Sequence, residues 1–277
     1  MYAGLTIYPV LRTFYNAFFT IKPQGVTEYV GLANFSSLLF ADATFWKAVV
    51  NTSLFTIVAT LVDVVGGLLL AFCLFARAPL APLLRVVWFT PVLMSYVVVG
   101  IIWVWIYDYD WGLANTVLRW VGLGALEQSW LGKPSTALWS VLVAHEWKWL
   151  GFNMIVFLAA LHALPVEVLG AAELDNCGGF AKLVYIIVPM LRTTTVNLLV
   201  LSFIGKMMVF DLVWVMTGGG PLWATETVST YVYKRAFEWN TFDLGYPSAI
   251  AVLWFIIILF FVAMMSRLLR RRERLEF

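Results

Sequence analysis

The chain alternates long apolar runs with short polar joints. Residues 86–107 and 244–266 carry no charged side chain at all, and residues 49–76 carry one, Asp63. About 20 mostly apolar residues suffice for a helix to cross the hydrocarbon core of a bilayer. On that measure six segments are predicted to span: 2–20, 49–76, 83–107, 136–164, 190–217 and 244–267. The pattern predicts an all-α membrane protein, residues 1–277 forming a single transmembrane domain, with a polar loop at 165–188 between the fourth and fifth helices. The first segment is short for a span and carries Arg12, so residues are expected to precede Met1.

Composition agrees with the pattern. Of 277 residues, 62% are hydrophobic and 12% charged, whereas soluble domains carry about 25% charged residues. No basic stretch or small-residue cleavage site marks a secretory leader before Thr20. Cys73 lies in an apolar run and Cys177 in the polar loop, so neither suggests a disulfide or metal framework. A net charge of +2 is no nucleic-acid footprint. The basic residues instead gather at joints: Arg77, Arg85, Lys182 and Arg192, then Arg267, Arg270, Arg271, Arg272 and Arg274 after the last run. Lys22, Lys47, Arg119, Lys133, Lys234 and Arg235 are spread over the longer segments of the opposite side. The positive-inside bias therefore predicts that both termini are cytoplasmic.

The joints themselves carry signals. Residues 108–134 are rich in Trp and Gly and hold a short amphipathic stretch, 113–121, suited to the membrane interface. Thr217-Gly218-Gly219-Gly220-Pro221 reads as a helix stop; no Gly-Lys-Ser/Thr follows that would make it a phosphate loop. In the 165–188 loop, Pro165 suits a first helical turn and Glu167 complements a helix N-terminus. Ala171 and Ala172 favour helix and allow close approach of another surface, and Asn176 with Gly178-Gly179 makes a break. A second short segment, 180–187, leads to Pro189. The product is a helix–turn–helix elbow across the membrane face.

Gly170-Ala171-Ala172, Asn176, Ile186 and Val188-Pro189 match in spacing the signature loop of ATP-binding-cassette (ABC) importer permeases, which reads Glu-Ala-Ala, Gly, Ile and Leu-Pro. Gly170 replaces the Glu and Asn176 the Gly. Further matches cover nearly the whole chain: residues 29–35, Asn51-Thr52, 158–161, Asp211, the 217–221 stop, Thr225-Glu226-Thr227, 231–237 and 242–246. The chain thus resembles carbohydrate-importer permeases of the maltose-transporter type. That resemblance implies a permease subunit in a bacterial or archaeal inner membrane, forming half of a sugar path. Its implied partners are a second homologous permease, two ATPase subunits carrying ATP and Mg, and an extracytoplasmic solute-binding protein. ATPase coupling is implied for Glu167, Gly170, Ala171, Ala172, Asp175, Asn176 and Gly178.

Ionisable groups inside spans cost about 2.5–3.5 kcal/mol each on insertion scales and so face a cavity or a partner. Sugars are held by polar groups beside aromatic faces. Glu146, Trp147, Lys148, Asn153, Lys206 and Asp211 are the candidate path residues; helix–helix contact is the competing reading for each. His145, Lys148 and Trp149 share a helix face, and Lys206 and Asp211, five apart, do not. Asp63 and His162 read as packing residues. A secondary transporter or channel, or an importer of glycerol phosphate, also fits six spans with buried charges. A membrane enzyme does not: the two histidines, His145 and His162, have no metal or nucleophile cluster around them.

Overall fold

The computed structural model describes residues 3–21, 27–75, 80–175, 177–239 and 243–271. Lys22, Arg77, Asn176, Arg272 and Arg274, used above to place the loop and the ends, lie outside the described residues. The chain opens with a π turn, Ala3–Ile7, running into α1 (Tyr8–Asn16). The first predicted span ends early, because Phe19–Ile21 is a strand, β1, paired antiparallel with β2 (Thr27–Tyr29). Phe19 and Tyr29 face each other across this hairpin, rings 5.3 Å apart, an aromatic cross-strand contact that favours strand over helix. The Asn34 amide donates to the carbonyls of Ala17 and Phe19 at 3.0 and 3.1 Å, closing the end of the helix.

After α2 (Ala33–Phe40), α3 (Ala43–Phe75) runs unbroken. α4 (Ala81–Phe89) continues through a 3-10 turn, Thr90–Leu93, to α5 (Tyr96–Ile106). The interfacial stretch is α6 (Leu113–Trp120), and the fourth run is α7 (Pro134–His162). The elbow consists of α8 (Val166–Leu174), α9 (Gly179–Lys182), a π turn at Leu183–Ile187 and α10 (Val188–Met190). Then come α11 (Arg192–Met207), α12 (Asp211–Thr217), α13 (Val228–Tyr233) and α14 (Gly245–Arg271). Among the described residues, two helices are long and apolar enough to cross a membrane, α3 and Gly245–Arg267 of α14. The number rises to five if each bent pair is one span. The bends are 105° between α4 with its 3-10 turn and α5, 82° between α7 and α8, and 76° between Gly179–Met190 and α11.

Two segments expected to be continuous, 83–107 and 190–217, are broken. In the first, Pro91 cannot donate to the ladder, and Ser95 caps a fresh helix start by accepting from the Val98 N–H. The carbonyls freed there need a donor, since no water is available in hydrocarbon. Lys148 of α7 supplies it: its ammonium donates to the carbonyls of Pro91, Val92 and Met94 at 3.3, 3.0 and 2.5 Å. The second segment breaks at 208–210, where no Gly or Pro warns of it. The Trp254 indole donates to the Met207 carbonyl at 2.9 Å and the Thr227 hydroxyl to the Val209 carbonyl at 3.1 Å.

The frame is α3 packed along α7, with α11 against α3 and α12 against α5. Two glycines permit the closest approaches. A Cβ on Gly67 of α3 would sit 2.6 Å from the Asn153 Cβ, and one on Gly151 of α7 would sit 2.0 Å from the Trp88 carbonyl oxygen. Separate apolar clusters fill the two ends of this pair, around Phe55, Val141 and Leu212 at one and Met154, Phe157 and Ile187 at the other. The stretch after the glycine stop is tied to α3. The Asn51 amide donates to the carbonyls of Trp223 and Glu226, both at 3.0 Å, and Thr52 accepts from the Val228 N–H at 3.0 Å. Glu226 is buried there and accepts from Lys234 at 2.5 Å. Burial raises its pKa above the ordinary carboxylate value, and the Lys234 ammonium works against that rise.

Candidate functional site

Between the two broken helices lies a cavity of about 340 Å³, walled by Asp63, Tyr96, His145, Trp149, Phe152, Asn153, Leu201, Ser202, Gly205 and Lys206. Its position follows from the breaks. Tyr96 is the first residue of α5, just past one break, and Gly205 and Lys206 lie in the last turn of α11, just before the other. α3 and α7 supply the remaining walls.

One corner is charged. Lys206 forms an ion pair with Asp63, and both are at most 3% exposed. Beside them, the His145 Nδ1 and a Glu146 carboxylate oxygen are hydrogen-bonded at 3.1 Å. Two carboxyl groups and one ammonium therefore share the corner. Aromatic residues complete the lining. Trp149 donates its indole N–H to the Tyr96 hydroxyl at 2.7 Å, and Phe152 meets Trp149 edge-on with centroids 5.9 Å apart. Lys148 lies 5.0 Å from the Tyr96 ring centre and 5.3 Å from that of Trp149 while holding its three carbonyls. Among the described residues, no group of three His, Cys, Asp or Glu side chains is placed to hold a metal.

Of the six path residues proposed from sequence, Asn153 and Lys206 line the cavity, and Glu146 stands one contact behind it. Three do not line it. Trp147 packs edge-on against Trp103 at 5.9 Å in the core, Lys148 holds the first break, and Asp211 is exposed at the start of α12. Lys206 and Asp211 do not pair, and the break puts them on different helices. Asp63, read as a packing residue, is in the cavity wall and partners Lys206. His162 is exposed at the end of α7, its ring edge-on to Phe75 at 5.2 Å. Tyr96, Phe152 and Ser202 were missed. Pro91 followed by Ser95 is the signal that would have singled out Tyr96 as the first residue after a break.

The elbow is the second candidate surface. α8 projects Glu167, Gly170, Ala171 and Asp175 to the outside, with Gly178 beyond it. Leu174 is 86% and Phe180 78% exposed. Ala172, expected on the docking surface, is only 4% exposed and faces the protein; it sits one position round the helix from Ala171, which points out. Lys182 of α9 reaches Glu173 of α8 at 3.0 Å and staples the two arms.

Known proteins match this arrangement. A profile of the family described as binding-protein-dependent transport system inner membrane component covers residues 63–275. The probable ABC transporter permease protein YurN of Bacillus subtilis (strain 168) is 34% identical over 233 residues, 83% of this chain and 79% of that one. The trehalose/maltose transport system permease protein MalF of Thermococcus litoralis is 30% identical over 270 residues, 96% of this chain and 89% of that one. The crystal structure of a bacterial ABC transporter involved in the import of the acidic polysaccharide alginate superposes with a TM-score of 0.84 at 21% identity, over 98% of this chain and 91% of that chain, a likeness of fold. The chain belongs to the inner membrane component family of binding-protein-dependent transport systems, and is an ABC transporter permease.

Proposed function

We propose that this chain is the permease subunit of an ATP-driven, binding-protein-dependent carbohydrate importer and forms half of its translocation path. The cavity carries the reading: polar side chains from three helices line it together with Tyr96, Trp149 and Phe152, and hydrogen-bonding groups beside ring faces suit a polyhydroxylated solute. Relatives named for sugar transport support the same class. The partners are a second permease, two ATPase subunits that carry ATP and Mg, and an extracytoplasmic binding protein. Counting the Ala3–Asn16 region as the first span makes six with the five long or bent helices, and the bias of basic residues towards the joints and the end of the last helix supports a cytoplasmic side for both termini. Uptake by the complete complex across a panel of sugars tests the reading; uptake of no sugar, with a non-sugar solute transported, refutes it.

The elbow is the lever in this reading. Closure of the ATPase moves α8, and the bends at the two ends of the elbow pass that motion to α7 and α11. Ligand or nucleotide shifts the inward–outward equilibrium only by binding one state better. Glu167, Gly170, Ala171, Asp175 and Gly178 are the exposed contacts. Ala171→Arg is expected to leave assembly of the permease intact and to abolish substrate-stimulated ATP hydrolysis. Ala172→Arg, by contrast, buries a charge and lowers the yield of folded protein. Normal coupling in Ala171→Arg refutes the lever.

A further inference from the structure

We infer that the face of α1 turned away from α14 is an interface with a second permease, and that this partner brings a carboxylate into the bilayer opposite Arg12. The inference rests on the two-permease reading above and names the surface and the chemistry of one contact. α14 fixes the depth of α1. A Cβ on Gly245 would sit 1.7 Å from the Phe19 carbonyl oxygen, Ala17 packs with Ala249 and Val252, and Phe14 meets Phe255 edge-on with centroids 5.9 Å apart. The two helices therefore run antiparallel, side by side. A helix rises about 1.5 Å per residue, so Phe255 lies roughly 15 Å into the span that begins at Gly245. Arg12, about half a turn beyond Phe14, lies roughly 18 Å in, and the 23-residue span is about 34 Å long. Arg12 is at mid-depth.

Tyr8, Arg12 and Tyr15 follow the spacing that puts residues on one helix face. Arg12 is exposed, and Tyr8 and Tyr15 are 64% and 50% exposed. Phe14, Ala17 and Phe18 take the other side, against α14 and Phe35 of α2. This chain thus covers the apolar side of α1 and leaves the charged stripe bare. The Arg12 guanidinium lies 5.1 Å from the Tyr15 ring centre, and among the described residues no carboxylate meets it. A ring face answers the charge weakly and leaves most of the five N–H donors unmet. Snorkelling to the interface serves charges near helix ends; one in mid-span faces protein or a water-filled cavity. The cavity described above is walled by other helices, and lipid tails carry no acceptor. The guanidinium fork matches a carboxylate, so a protein span carrying Asp or Glu is the occupant that completes this face.

Photocrosslinking in the complete transporter tests this. With p-benzoylphenylalanine in place of Tyr8 or Tyr15, mass spectrometry of the adducts is expected to find a span of the second permease that carries Asp or Glu. Arg12→Leu then separates the two environments by sign. Against lipid it makes the span more apolar, and the yield of assembled complex holds or rises. Against a carboxylate it strands that charge, and recovery of the second permease with this chain is expected to fall more than about tenfold. Arg12→Glu is expected to lose assembly too, and to regain it when the crosslinked partner carboxylate is replaced by arginine; that rescue distinguishes a lost pair from a misfolded chain. Adducts with lipid alone, no adduct at all, wild-type assembly of Arg12→Leu, or a loss that the charge swap fails to repair each overturn the interface. Sugar uptake by the wild-type complex, measured alongside, stands or falls separately. A complex that imports sugar with no second permease in it sinks the two-permease reading, and this inference with it.

Discussion

Single residues here do jobs that their chemistry suggests but their sequence context hides. Lys148 is a charge inside a span, and a charge there invites a ligand reading. Its three carbonyl contacts instead make it the closing piece of a broken helix. Lys148→Met keeps the stem and removes every donor, so the carbonyls of Val92 and Met94 are orphaned together and that of Pro91 keeps only the Met94 N–H. An unmade buried hydrogen bond costs about 1–3 kcal/mol, and the thermal midpoint of the purified protein is expected to fall by several degrees. An unchanged midpoint would show that the break holds itself. Asp42, just before α3, is a second such residue. It accepts from the hydroxyls of Tyr231 and Tyr246 at 2.5 and 2.6 Å and from the Phe45 N–H at 2.9 Å. Burial works against its charge, but the two hydroxyls, the N–H and the Arg235 guanidinium together hold its pKa below the ordinary 3.8. A carboxyl lowered in the fold contributes stability above its unfolded pKa and loses it as pH falls through the folded value. Melting curves taken below pH 3.8 should therefore fall more steeply for wild type than for Asp42→Asn; parallel curves would contradict the assignment.

At the scale of elements, run lengths were readable and breaks were not. The long apolar runs located α3 and α14 directly, and the charged, Ala-rich stretch after Pro165 located the elbow. The break at 208–210 left no trace, because Met208, Val209 and Phe210 are ordinary span residues and the groups that stabilise the break, Thr227 and Trp254, lie outside it in sequence. The short strand pair at Phe19–Ile21 was likewise hidden inside an apolar run. The elbow showed a finer limit: spacing placed Ala171 and Ala172 side by side, but which one faces out depends on how α8 rolls against the protein. Helix seams offer a sharper test. A methyl at Gly151 has no room beside the Trp88 carbonyl, and backbone cannot move aside as a flexible side chain can. Gly151→Ala is expected to separate α4 from α7 at a cost of about 1–3 kcal/mol, the range for overpacking. Gly170→Ala on the open face of α8, where nothing lies within 4 Å, is the matched control and should leave the midpoint unchanged or raise it slightly. Similar losses from both would mean that crowding is not the cause.

Only the whole molecule assembles the cavity. Asp63 and Lys206 are 143 residues apart, and nothing local to either marks the other as its partner. Asp63 looked like a packing residue for that reason, and Lys206 looked like a lone charge. Their pairing connects α3 to α11 across the cavity and beside α7, so it is at once a structural tie and part of the wall. A buried pair of this kind behaves asymmetrically under mutation. Removing one partner strands the other's charge and typically costs about 3–5 kcal/mol, whereas replacing both by neutral groups of similar volume is often nearly neutral. Asp63→Asn and Lys206→Met alone are each expected to lower the unfolding midpoint strongly, and the double variant to recover most of the loss. The cycle also separates stability from transport. If the double variant regains its midpoint yet transports sugar poorly, the pair contributes to the path as well as to the fold. If it regains both, the tie is purely structural and the sugar contacts rest with Asn153 and the aromatic wall. Additive losses in the two single variants, with no recovery in the double, would show that Asp63 and Lys206 act independently and that the geometry of the corner has been misread.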